Sequence, residues 1–416
     1  MKPTLLLPVL LAVALAGPLR AADEFFDRLG DVLTFSAPDA RMRARFSGTL
    51  ELEGYRTQTP APGLVDTADG TLLERRLTLF LDAQFGPRVY VFAQVRADHG
   101  FDPSERETEV RLDEYALRVR PWGRAGLNLQ FGRFATVVGN WASRHGAWTN
   151  AFVTAPLPYE HLTGIWDTEP IDSLPLLLRW SHVRPGLSAA RRAIEKSLRL
   201  PIVWGPGYAE GAALSGETGR WRYAAEAKFG SLSSRPEAWR HAREQRHHPT
   251  VSARLAYRPS PMWQAGVSAS TGSYLRQQAE EELPRGVGRA AYRQTVVAGD
   301  VAVAWHHWQL WAEIYASRFA IPRVGNADTA AYYVEAKYKF TPQLFGAVRW
   351  NQQVFARMGA GAAAVPWGHD VWRVDVAPGY RFTPHTQLKL QYSLQHGDSG
   401  ARDTTRLLAA QAVVRF

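Results

Sequence analysis

The sequence predicts an all-β fold, a transmembrane antiparallel β-barrel of about sixteen strands, and three observations carry that prediction. From Ala44 onward apolar and polar residues alternate with a period of two; short turns alternate with longer polar links; and the final segment is an apolar ladder, Leu408, Ala410, Ala412 and Val414, ending on Phe416. Alternation alone is shared with soluble sandwiches. The regular succession of short and long connections is the mark of a membrane barrel. Helical spans are excluded, because after the amino terminus no run approaches the ~20 apolar residues that a membrane helix needs.

At the amino terminus Lys2 precedes an apolar run over 5–16, and small residues follow at Ala21 and Ala22. This reads as a secretory signal peptide over residues 1–21, with Ala16 an alternative cleavage point. Residues 22–43 then form a periplasmic segment and 44–416 the barrel. Phe25, Phe26, Leu29, Val32 and Leu33 recur at helical spacing, which predicts a short periplasmic helix. Docking under the barrel mouth and projection as a solvated arm are both open to it. The net charge is +10, or about +8 without Lys2 and Arg20. Export argues against nucleic acid as the partner of this basic chain, leaving anionic lipid and anionic solutes. Cysteine is absent, so thiolate metal sites, cysteine nucleophiles and covalent haem attachment are excluded.

Alternation is clear at both ends of the barrel. Phe46, Gly48, Leu50 and Leu52 interleave with Arg45, Ser47, Thr49 and Glu51, as Leu388, Leu390, Tyr392 and Leu394 do with Gln387, Lys389, Gln391 and Ser393. Segments begin near Ala44, Thr71, Arg88, Val110, Ala125, Tyr208, Arg220, Thr250, Trp263, Arg293, Trp308, Thr329, Leu344, Val371, Gln387 and Thr404. An extra candidate, Leu174–Ser181, paired with a segment in 188–199, would make eighteen. Short links fall at 86–87, 121–124, 216–219, 259–262, 306–307, 341–343 and 381–386, and longer ones at 57–70, 99–109, 231–248 and 271–292. Phe85, Trp221, Tyr257, Trp263, Trp305, Trp308, Phe340 and Tyr380 flank the short links, as a periplasmic aromatic girdle would.

About sixteen strands enclose an aqueous channel rather than a packed interior. On the inward phase lie Arg76, Arg96, Arg118, Arg222, Arg254, Lys337, Arg349 and Arg373, with Glu51, Glu53, Asp98, Glu313, Glu335 and Asp375 among the fewer acids. An excess of basic side chains in a confined pore raises the local anion concentration, unless most of them pair across strands. The alternation breaks over 134–207, which is far too long for a structureless link and is expected to fold inward. Arg144, His145, Glu160 and His161 are its candidate screening residues, with Trp141, Trp148 and Tyr159 packing it on the wall. Further on, Arg191, Arg192, Lys196 and Arg199 form a basic stretch, placed either over the lumen or against lipopolysaccharide phosphates. Arg235, Arg240, His241, Arg243, Arg246, His247 and His248 fall on an outer loop and would meet lipid phosphates; no metal spacing accompanies those histidines.

Taken together, these segments resemble a Gram-negative outer-membrane porin. The stretch Arg111-Leu112-Asp113-Glu114-Tyr115-Ala116-Leu117-Arg118-Val119, followed by Leu127-Asn128-Leu129-Gln130-Phe131-Gly132-Arg133-Phe134, is similar to the phosphate-selective porin superfamily. The resemblance implies passive diffusion of small solutes, no cofactor and a homotrimer. It also implies that Phe416 is read by the barrel assembly machinery. A different class of function is a sheath for a separate electron-transfer cytochrome. Gly397-Asp398-Ser399-Gly400 matches a protease nucleophile segment, but nothing upstream repeats the rest of that site, and no enzyme is expected.

Overall fold

The computed structural model describes residues 19–38, 41–58, 63–65, 70–99, 108–122, 126–181, 198–236, 248–397 and 404–416. Sixteen antiparallel strands, each hydrogen-bonded to its neighbours in sequence, close into one barrel. They are β1 (Met42–Thr57), β2 (Thr71–Phe85), β3 (Val89–Asp98), β4 (Glu109–Val119), β5 (Asn128–Phe134), β6 (Ala209–Thr218), β7 (Trp221–Lys228) and β8 (Thr250–Ser260). The second half comprises β9 (Trp263–Ser273), β10 (Arg293–Trp305), β11 (Trp308–Ile321), β12 (Gly325–Lys339), β13 (Leu344–Phe355), β14 (Val371–Arg381), β15 (Thr386–His396) and β16 (Thr404–Arg415). Each begins within a few residues of its expected start. The widest offset is at β12, which starts at Gly325 because β11 and β12 run on together to a tight outer turn at 322–324. Strict alternation of short and long links therefore fails once.

Eighteen strands are ruled out. Leu174–Ser181 is a helix, its Leu177 fully buried against Ile165, Leu200 and Tyr274. A run with apolar residues at 174, 176, 177, 178 and 180 suits either period, and packing beneath the outer loops decides for the helix.

Closure joins β16 to β1 in a register running from Leu407 opposite Thr57 to Arg415 opposite Thr49. Beyond it, the Phe416 amide donates to the Gly48 carbonyl at 3.0 Å, and the Gly48 amide donates back at 3.1 Å. The Phe416 ring covers Gly48 so closely that a Cβ there would stand 2.5 Å from it. The outward faces carry the apolar set: Leu50 and Leu52 on β1, Val334 on β12, Val348 on β13 and Val376 on β14 are all exposed. Trp221, Trp263, Trp305, Trp308 and Phe340 are exposed beside the short turns, where Trp221 packs on Tyr257 and Trp308 on Tyr338. An apolar belt ending in an aromatic girdle is the outer-membrane arrangement; no described helix is long and apolar enough to cross a membrane.

The amino-terminal helix, α1 (Leu19–Val32), is docked under the barrel rather than projecting from it. Its Asp27 carboxylate lies 3.0 Å from His385 Nε2 in the β14–β15 turn, and the Phe26 ring lies 5.6 Å from the same imidazole. The chain after it, Thr34–Ser36, pairs with Arg43, Ala44 and Arg45 of β1.

Candidate pore and inward loop

After Phe134 the chain turns into the barrel and crosses to the far wall. Gly139 makes the crossing possible: its φ is +74°, and it passes so close to the Tyr159 and Tyr315 hydroxyls that no side chain would fit. Glu313 of β11 then fastens the chain. It accepts hydrogen bonds from the amides of Asn140 and Trp141, the latter at 2.8 Å, and from the Tyr159 hydroxyl at 2.7 Å. Trp141 lies against Tyr159, with ring centroids 4.6 Å apart.

The same logic repeats along the wall from β12 to β15. Arg144 reaches Glu335 at 2.8 Å and lies over the Trp311 ring. Buried Arg349 pairs with Asp375 at 2.8 Å and donates to the Thr154 carbonyl at 3.0 Å. Arg373 bridges Asp375 and the loop's Glu160. Lys389 donates to the carbonyls of Ala147, Asn150 and Phe152, and the Gln391 carbonyl oxygen accepts from the Val153 and Thr154 amides. Burying so many charges is costly unless each is paired and hydrogen-bonded, and here the loop supplies the partners. Beyond residue 160 the loop packs with the outer links in an apolar cluster containing Ile165, Leu177, Tyr274, Tyr292 and Trp367.

Water-exposed inward side chains lie instead mostly on β2–β9 and on the loop tip, residues 143–149. Many of the cations there have a carboxylate, whereas Arg88, Arg118, Arg120 and Arg258 have none among the described residues. Arg76 meets Glu51, Glu53 and Asp98 at 2.9–3.0 Å. Arg96 lies 3.3 Å from Asp113, Arg254 2.6 Å from Asp300 and Arg222 2.8 Å from Glu217. Arg118 has only the Gln130 amide oxygen, at 2.8 Å, and the Tyr90 ring. At the tip, His145 is held between the Ala142 carbonyl and the Tyr208 hydroxyl. Burial, with the nearby Arg96 and Arg76 cations, pushes its pKa down to about 4, so the ring is neutral at neutral pH.

Of the candidate screening residues, Arg144 and His145 therefore sit at the tip, while Glu160, His161 and Arg199 are buried in the loop's own packing. Arg191, Arg192 and Lys196 lie outside the described residues, as do residues 240–247 of the other basic cluster. Arg235 of that cluster is turned inward over Trp204 instead of reaching outward. Among the inward cations, Lys337, Arg349 and Arg373 are buried. The period-two reading did not place Arg111 and Asp113 in the lumen. A bulge puts Gln94 opposite Glu114 but Val95 opposite Leu112, so β4 changes phase and both Arg111–Asp113 and Glu114–Arg118 turn inward. Among the described residues no cluster of His, Asp or Glu is arranged to hold a metal.

No protein-family model matches the chain, and no curated protein matches it either. Solved structures do. OmpT of Vibrio cholerae aligns over 92% of this chain and 100% of its own at 9% identity, with a TM-score of 0.55. The outer-membrane channel DcaP of Acinetobacter baumannii covers 92% and 99% at 12% identity, TM-score 0.55. An anion-selective porin from Comamonas acidovorans covers 90% and 100% at 9% identity, TM-score 0.55. The chain thus has the fold of outer-membrane porins.

Proposed function

We propose that the protein is an outer-membrane channel for passive diffusion of small, preferentially anionic solutes, narrowed by its inward loop. The observation that carries this reading is the division of the lumen: the loop is bonded to β11–β15, and water-exposed polar side chains line β2–β9 opposite its tip. Arg144 and His145 stand at that tip as the constriction residues. An anion-selective porin among the structural neighbours favours the charge preference. A sheath around a cytochrome is disfavoured, because the loop occupies the space a threaded partner would need. Residues 1–21 act as the export signal and Phe416 as the assembly signal. Association of copies is supported by the trimer form in which Vibrio cholerae OmpT, TM-score 0.53, has been solved. It is also supported by Tyr115, Arg133 and Glu210, a polar group on the outward face of β4–β6, where lipid contact is unfavourable.

The test is electrical. Purified protein in planar bilayers under a potassium chloride gradient is expected to conduct, with a reversal potential displaced toward that of chloride. Absence of conductance, or displacement toward potassium, refutes the reading.

A further inference from the structure

Charge pairing is uneven along the lumen. Most arginines beside the loop tip are matched by carboxylates, but at the periplasmic ends of β14 and β16 the situation reverses. Arg381 and Arg415, the last residues of those strands, both lie against the indole of Trp148, at 5.0 and 4.1 Å from its centroid. Arg381 uses Nε on the Gln387 amide oxygen at 2.9 Å, and Arg415 uses Nε on the Pro384 carbonyl at 2.8 Å. Lys337, within electrostatic reach of Arg381 and, on its other side, of Glu335, has its ammonium 4.0 Å above the Phe345 ring. Among the described residues none of the three forms an ion pair with a carboxylate, and Arg381 Nη2 makes one further contact, 3.5 Å from the Trp148 carbonyl oxygen. The Gln387 amide nitrogen beside Arg381 is buried without a hydrogen-bond acceptor.

The group is therefore rich in donors and lacks an acidic acceptor. An aromatic face engages the plane of a guanidinium or the head of an ammonium and leaves N–H groups at the edge to donate. We propose that Arg381 and Arg415, held by Trp148 and backed by the buried Lys337 and Gln387, form a binding position for a small oxyanion, the carboxylate or phosphate group of a permeating solute. This position, rather than the paired arginines at the tip, sets the charge preference of the pore. The proposal rests on the channel reading above and assigns its selectivity to particular residues. A field from unpaired cations acts on a passing anion, whereas Arg76 among three carboxylates presents no net positive charge to it.

The experiment compares the full-length protein with R381Q/R415Q, R381K/R415K and R96Q in planar bilayers. Reversal potentials are read in a potassium chloride gradient, and conductance is read while inorganic phosphate is added on the periplasmic side. R381Q/R415Q is expected to lose the displacement toward chloride and the block by phosphate. The lysine pair keeps both, and R96Q changes the reversal potential little. Retention of chloride preference and phosphate block in R381Q/R415Q overturns the proposal and leaves the channel reading intact. Lack of chloride preference in the unaltered protein overturns both. If R381Q/R415Q does not assemble, W148A serves instead: loss of phosphate block supports the position, and unchanged block contradicts it.

Discussion

Arg373 shows what the inward charges do one at a time. It is buried between the loop's Glu160 and the Asp375 of its own strand, so removing it strands two carboxylates. Arg373→Ala is expected to cost about 3–5 kcal/mol, read as a lowered unfolding midpoint in detergent. His145 gives a pH signature. Its ring titrates near 6.5 when unfolded and about 4 when folded, so between those values the unfolded chain binds the extra proton. Its contribution to stability is complete above about pH 6.5 and falls toward pH 4. His145→Gln should flatten that slope in a pH series of unfolding midpoints; an unchanged slope contradicts the assignment. At closure, Gly48→Leu displaces the Phe416 ring and should lower the amount of heat-resistant barrel recovered from membranes, whereas Gly54→Leu, where a Cβ meets nothing within 4 Å, should not. Residue roles were the least legible in the sequence. Period two places Arg349 and Arg373 inward, but nothing local says that a segment two hundred residues away covers them. Arg111 and Asp113 were hidden because one bulged residue inverts the phase of β4.

At the scale of elements the sequence was far more informative. A strand with one face to lipid and one to the lumen must alternate, so every strand was visible, including β16 with its terminal aromatic. Where packing is not two-sided, legibility fails: Leu174–Ser181 is a helix because it is buried among loops. The inward loop was legible as an interruption and as an aromatic, polar stretch; its path was not. Glu313, Glu335, Arg349, Arg373 and Lys389 fix that path, one from each of β11–β15. Deleting residues 142–149 and joining the ends through glycines removes the tip while sparing Glu313's bonds to Asn140 and Trp141. The shortened protein is expected to retain its barrel, shown by heat-modifiable migration on gels.

For the whole molecule, closure and filling are separate matters. The barrel closes through β1 and β16 alone, and the loop then divides the interior into a packed side along β11–β15 and a wetted side along β2–β9. Such a division makes an outer-membrane barrel a narrow conduit rather than an open cylinder. Single-channel conductance of the unaltered protein beside the form lacking residues 142–149 tests this most directly. A small conductance that rises severalfold on shortening is the expected result; no conductance in either form, or equal conductance in both, would contradict a pore narrowed by its loop.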